Sequence, residues 1–227
     1  MLNTIRSFVL IAAGCAAFIF LRPMLQGHTG HPPAPEPAAM ATMLPPPVVT
    51  KPAIPAHPSG PRIWYHAGSY PHLSLPDGRQ EVVRSVLNIT KPMQFGDFVW
   101  NDDGIPDGPV WVRIDLARQL LSVFRDGSEI GSAVILYGDH TKQTPLGTFS
   151  ILEKRKDYHS RTYDAPMPYM LRLTNDGVAI HGSDVREGWA THGCIGVPLE
   201  FARLLFAIAH KGDLVVILPA ERGAGKA

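Results

Sequence analysis

Between Val110 and Tyr137 the chain runs through apolar stretches of strand length separated by turn signals, a rhythm that a helical fold cannot accommodate. Val110 to Asp115 alternates as Val-Trp-Val-Arg-Ile-Asp, the pattern of a half-buried strand. Gln119 to Arg125 reads as a second strand. Asp126-Gly127 then gives the signature of a tight hairpin turn, leading into a third strand from Glu129 to Tyr137. Further strands are expected at Glu81 to Ile89, Gln94 to Trp100, Thr148 to Leu152, Met170 to Leu173 and Gly177 to His181. Helical spacing occurs in one place, where Leu199, Phe201, Leu204, Leu205 and Ile208 recur and His210-Lys-Gly212 supplies a stop. Asp213 to Leu218 closes the pattern as an apolar strand. The expected fold is mainly β, with one main helix near the C-terminus.

The remaining sequence divides by composition. Residues 1–25 carry Arg6, then fourteen uncharged, mostly apolar residues from Phe8 to Leu21, then Arg22-Pro23. That core suits a signal peptide and falls short of the roughly 20 residues that span a bilayer. No convincing Ala-x-Ala cleavage site follows Leu21, so an uncleaved signal anchor is preferred over a removed signal peptide. Residues 26–62 form a Pro/Ala-rich linker, a composition that favours extended polyproline II conformations over a core. Residues 63–109 are a lead-in that either completes the fold or covers its cleft. Residues 110–219 form the main domain, and 220–227 are a tail. The apolar fraction of 45% supports a real core. The net charge of +1 arises from interspersed charges with no basic stripe, which argues against nucleic acid as a partner.

Chemistry concentrates in two blocks, Ala179-Ile-His-Gly-Ser-Asp184 and Thr191-His-Gly-Cys-Ile-Gly196. Cys194 is the one cysteine outside the N-terminal apolar run; Cys15, inside that run, could hardly pair with it. A thiol attacks as its thiolate and needs a base or a positive field, for which His181 and His192 are the candidates. On this reading the Cys194 pKa is lowered and the residue is sensitive to peroxide. The Gly193-Cys194 amides can approach a developing oxyanion, because a glycine lets the backbone come close.

Three separated segments, Thr144-Pro-Leu-Gly-Thr-Phe149, Val178-Ala-Ile-His-Gly-Ser183 and Thr191-His-Gly-Cys-Ile195, resemble in type and order the TPxGxF, HG and [ST]HGC blocks of the L,D-transpeptidase catalytic (YkuD) domain. The resemblance covers roughly Val110 to Leu218. It implies a β-sandwich-like L,D-transpeptidase fold and a cysteine acyltransferase of bacterial peptidoglycan that needs no cofactor or metal. In that family the cysteine attacks the peptide bond between the meso-diaminopimelate L-centre and the terminal D-alanine of a tetrapeptide stem, releasing D-alanine. A second stem's amine then resolves the thioester into a 3,3 cross-link.

Carried onto this sequence, the resemblance makes Cys194 the nucleophile and His181 its base, oriented by a backbone carbonyl of Gly182 or Ser183. The amides of His192, Gly193 and Cys194 become oxyanion donors and Thr191 a positioning hydroxyl. Thr144, Gly147 and Tyr169 are expected to bind substrate. It also implies a cell-envelope, periplasmic location, with residues 1–25 holding the chain at the inner membrane if they are not cleaved. Many members carry Arg or Asn two residues after the nucleophile, where this chain has Gly196, and Arg172, Arg186 or Arg203 could substitute. Competing readings are hydrolysis by water as an L,D-carboxypeptidase or endopeptidase, a non-catalytic wall-binding module, and a zinc site of His181, His192 and Cys194 whose spacing matches no common zinc motif.

Overall fold

The computed structural model describes residues 55–59 and 61–219. In chain order the strands are β1 (Pro55–Ser59), β2 (Arg62–Tyr65), β3 (His72–Ser74), β4 (Gln80–Val82), β5 (Ser85–Leu87), β6 (Phe98–Trp100), β7 (Val110–Asp115), β8 (Leu120–Arg125) and β9 (Ser128–Val134). They continue as β10 (Gly147–Ser150), β11 (Glu153–Arg155), β12 (His159–Ser160), β13 (Ala165–Pro166), β14 (Met170–Arg172), β15 (Ala179–Ser183) and β16 (Ile195–Pro198). The helix α1 (Leu199–Ile208) and the strand β17 (Leu214–Leu218) follow.

Strands β7, β8 and β9 form the expected antiparallel meander. Asp126 and Gly127 between β8 and β9 both take positive φ, 46° and 74°, as a type I′ turn requires. The C-terminal β17 inserts parallel to β7, and the main sheet runs β1-β2-β5-β9-β8-β7-β17-β10, with β6 also on β9. Strands β7 and β17 are buried on both faces. Val112, Ile114, Val215 and Ile217 join the core that faces a second sheet, β11-β14-β15-β16. Trp111, Leu214, Val216 and Leu218 pack on the opposite face with Phe124 and Leu75. The result is a mainly β sandwich, with one helix among the described residues.

The second sheet and α1 share that core through Leu171, Ile180, Ile195, Phe201 and Leu205. Each fully buried Ile or Leu of this set contributes roughly 1.5–3 kcal/mol. Phe201 meets Phe98 and Trp100 of β6 edge-on, at ring-centroid distances of 5.8 and 5.5 Å. No basic residue sits in the last turn of α1, and Lys154 of β11 serves that end instead. Its Nζ donates to the carbonyls of Phe206, at 2.8 Å, and Ala209. This satisfies exposed carbonyls and places a cation at the negative end of the helix dipole. The sheet that carries both chemical blocks is thereby fixed to its supporting helix.

Strands β2, β5 and β6 tie the lead-in to the main sheet, while β3 and β4 pair with each other. Arg62 on β2 is only 4% exposed. Its Nη1 donates to Ser85 Oγ at 3.2 Å and to the Glu129 carbonyl at 2.5 Å, and its Nη2 to the Asn101 carbonyl at 2.6 Å. Glu129 in turn accepts the Leu87 amide at 3.0 Å. Burial lowers the Arg62 pKa and raises that of Glu129, each partly offset by the other's charge. The sheet begins at β1, inside the segment that composition marks as linker. A proline removes a ladder donor, and Pro55 and Pro58 are tolerated because β1 lies at the sheet edge. Glu81 to Ile89, expected as one strand, is divided between β4 and β5, which belong to different sheets. The signal segment 1–25, the linker up to residue 54 and the tail 220–227 lie outside the described residues. Among the described residues no helix is long and apolar enough to cross a membrane.

Candidate active site

The parallel pairing of β15 with β16 places the two chemical blocks side by side, with Ile180 opposite Ile195 and His181 opposite Gly196. Side chains alternate across a strand, so Ile180 and Ile195 enter the core while His181 faces outward. Cys194, one step before β16, shares the outward face. On the neighbouring strands the same face carries Arg172, opposite Ala179, and Glu153, opposite Arg172.

His181 Nδ1 lies 3.0 Å from the Gly182 carbonyl oxygen, a contact that needs the proton on Nδ1 and leaves Nε2 as an acceptor. Of the two carbonyls that the resemblance implies for this contact, Gly182 makes it. Burial lowers the His181 pKa below its ordinary 6.5, opposed by this hydrogen bond. Burial also raises the Cys194 pKa above 9.0, and Asp176 adds to the rise, whereas the Ala179 amide and Lys142 oppose it. The lowered thiol pKa expected from the neighbouring residues is therefore corrected. Desolvation outweighs the nearby cation and the amide, which favours the neutral form of the thiol.

The turn before Cys194 is held from two sides. The Thr191 hydroxyl donates to the Cys194 carbonyl at 2.5 Å. The Thr144 hydroxyl accepts the Gly138 amide at 2.9 Å and donates to the Gly193 carbonyl at 3.1 Å. Gly193 has φ +95°, so a side chain there would be strained. The amides of His192 and Gly193 have no acceptor among the described residues. The Cys194 thiol points at the Gly177 carbonyl, 3.8 Å away.

Cys194 opens onto a cleft of about 450 Å³ whose walls come entirely from residues between Lys142 and Cys194. The lead-in supplies none of that lining. Tyr163, on the β12–β13 hairpin, stacks on the His192 ring at 4.7 Å and 17° and lies under the Lys142 ammonium at 5.8 Å. Among the described residues no three His, Cys, Asp or Glu side chains converge in a way that could hold a metal ion.

Residues 109–217 match the L,D-transpeptidase catalytic domain (YkuD) family. This stretch, a little under half of the chain, is similar to an L,D-transpeptidase catalytic domain. No curated protein matches the chain. Solved structures similar to it include an L,D-transpeptidase from Stackebrandtia nassauensis, at 25% identity over 54% of this chain and 62% of that one, with TM-score 0.47. An Enterococcus faecium L,D-transpeptidase is 26% identical over 49% and 50% of the two chains, with TM-score 0.45. One from Xylanimonas cellulosilytica is 23% identical over 50% and 62%, with TM-score 0.44. The alignment thus spans between half and about three-fifths of each of these proteins.

Within the matched residues several expected site residues are placed differently. Thr144, expected to bind substrate, is 5% exposed with its hydroxyl engaged on both sides, so it braces the turn before Cys194. Gly147 is paired with Ile217 in the main sheet, outside the cleft lining. Tyr169, also expected at substrate, takes φ 57° and packs on Phe206 of α1 at 5.7 Å. Its amide is tied to the Lys156 carbonyl, and the left-handed backbone turns the ring away. Tyr158 and Tyr163 line the cleft instead. Gly182 faces α1, and its amide donates to the Pro168 carbonyl at 2.8 Å. The Ser183 side chain lies against Gly196. Of the three candidate arginines, Arg186 is held by Asp184 at 2.6 Å and Arg203 by Glu200 on the exposed face of α1; Arg172 lines the cleft. The cleft residues Lys142, Glu153, Arg155 and Asp176 carry no sequence signal of their own, because their common side is set by strand pairing and turn geometry.

Proposed function

We propose that the chain is a peptidoglycan-remodelling cysteine L,D-transpeptidase. The observation that supports this reading is the His181 Nδ1–Gly182 contact, which leaves Nε2 available to accept a proton on the face that His181 shares with Cys194. Cys194 Sγ attacks the carbonyl of the third stem residue as Nε2 takes the thiol proton. The oxyanion is received by the amides of His192, Gly193 and Cys194, a role that suits the first two, which have no acceptor among the described residues. The carbon–nitrogen bond to D-alanine then breaks, Nε2 returns the proton to the leaving amine, and a thioester remains on Cys194. A second stem's amine attacks the thioester and gives a proton to Nε2, and the thiolate leaves and recovers that proton. Thr191 and Thr144 hold the turn while charge develops. On this reading the domain works in the cell envelope, on the periplasmic side, with residues 1–25 anchoring it at the inner membrane.

Incubation with a disaccharide tetrapeptide followed by mass spectrometry tests the reading. A dimeric muropeptide with released D-alanine is expected, lost in Cys194→Ala and His181→Ala. Tripeptide alone would show that water is the acceptor. No product and no carbapenem adduct on well-folded protein would leave a binding module.

A further inference from the structure

The chain has no cation two residues after its nucleophile, and the structure places one elsewhere in the cleft. Glu153, Arg172 and Ala179 lie in one row across β11, β14 and β15, and Cys194 follows at the end of that row. Two strand spacings, about 10 Å, separate the Arg172 backbone from the nucleophile's position. Arg172 is set in direction: Nε donates to Glu153 Oε2 at 2.9 Å and Nη1 to the Thr174 carbonyl at 3.3 Å, which leaves Nη2 without a partner among the described residues. The other oxygen of Glu153 is taken by Arg155 Nε at 2.5 Å. Glu153 thus spends both oxygens in holding two guanidinium groups. Across the cleft lining, Lys142, Arg155, Arg161 and Arg172 face only Glu153 and Asp176, so the cleft carries a net positive charge suited to an anionic ligand.

We infer that Arg172, braced by Glu153, is a specificity residue that receives the side-chain carboxylate of the stem's third residue, selecting a free diaminopimelate D-centre over lysine or a carboxamide. This rests on the peptidoglycan reading above. The side chain, and not the leaving group, faces Arg172 because D-alanine must depart where His181 can protonate it, and His181 stands two residues beyond Ala179 along β15. The gap is one that an arginine stem and a trimethylene side chain can share. A guanidinium matches a carboxylate in shape and donors, and a carboxamide or an aminoalkyl group meets it with a like dipole or a like charge.

The test uses the full chain, wild type and Arg172→Gln, with Arg172→Lys as the conservative variant. Donor tetrapeptides carry meso-diaminopimelate, its D-centre carboxamide, L-lysine, or meso-diaminopimelate with an amidated terminal D-alanine. Acylation kinetics and thermal unfolding are measured on each. In wild type, KM for the diaminopimelate stem should be about 10- to 100-fold below those for the carboxamide and lysine stems. Arg172→Gln should erase that difference with little change in kcat, and Arg172→Lys should restore part of it. Equal KM values in active wild type, or an equal loss on every stem in folded Arg172→Gln, overturns the assignment. Selectivity that follows the terminal amide also overturns it, by assigning Arg172 to the leaving group. Absence of acylation by any stem in wild type instead overturns the peptidoglycan reading itself.

Discussion

Gly196 is held by sterics, and its partner is Ser183. Its φ lies outside the left-handed region, so alanine is conformationally acceptable there. A Cβ at 196 would nevertheless lie 2.9 Å from Ser183 Cβ, 3.2 Å from Ser183 Oγ and 3.4 Å from Leu136 Cβ. Ordinary contacts need about 3.5–4.0 Å, so Ser183 must give by more than half an ångström. The backbone cannot retreat, because the amide and carbonyl of Gly196 are both bonded to Leu136 at 2.9 Å. Overpacking of this kind costs about 1–3 kcal/mol, against a gain of about 0.5–1 kcal/mol from replacing glycine within a strand. Gly196→Ala should therefore destabilise wild type by up to about 2 kcal/mol. In a Ser183→Gly background the clash is gone and the same change should be neutral or stabilising. The coupling equals the overpacking term, about 1–3 kcal/mol. Denaturant unfolding of the four proteins measures it, with Tm moving by about 2–4 °C per kcal/mol for a domain of this size. An equal effect of Gly196→Ala in both backgrounds would refute the steric explanation. The same contact implies that Gly196→Arg cannot install a carboxylate-binding arginine unless Ser183 is also reduced.

Other outcomes follow from the same geometry. Thr144→Val leaves the Gly138 amide and the Gly193 carbonyl unpaired at a buried site; stability should fall by about 2–4 kcal/mol and acylation by about a hundredfold, read by unfolding and by stopped-flow kinetics on the same samples. His181 has its pKa lowered by burial, so kcat/KM should hold through pH 6.5 and fall only at more acidic pH. The linkage has the same direction: the stability that a depressed imidazole pKa contributes is present above the unfolded value and is lost as pH falls. Iodoacetamide alkylation of free Cys194 should rise with a midpoint above pH 9.0, and peroxide should inactivate the resting enzyme slowly at pH 7. A fragment starting at residue 109 strips Glu129 of the Leu87 amide and Arg62; it should fail to give a cooperative unfolding transition, which circular dichroism would detect.

The central meander, its Asp126-Gly127 turn and α1 are legible in sequence because each rests on local periodicity and turn chemistry. The two chemical blocks are legible because glycines beside histidine and cysteine are a local signal. What escapes is set by pairing. Strand β1 is hidden because proline signals linker, and only its edge position makes it tolerable. Glu153 and Arg172 share a cleft because the short strands β11 and β14 pair in a register that no three-residue pattern can reveal. Tyr169 is drawn from the cleft by a left-handed backbone, and Tyr163 is brought in by a two-stranded hairpin. The thiol pKa goes against its sequence neighbours because burial depends on the fold around it.

Intact-protein mass spectrometry during reaction with a meso-diaminopimelate tetrapeptide is the most direct test. The expected result is an adduct equal to the stem less D-alanine, mapped to Cys194, accompanied by free D-alanine and absent from folded Cys194→Ala. An enzyme that releases D-alanine at the wild-type rate in the Cys194→Ala variant, or that never carries the adduct, would contradict the acyl-enzyme mechanism.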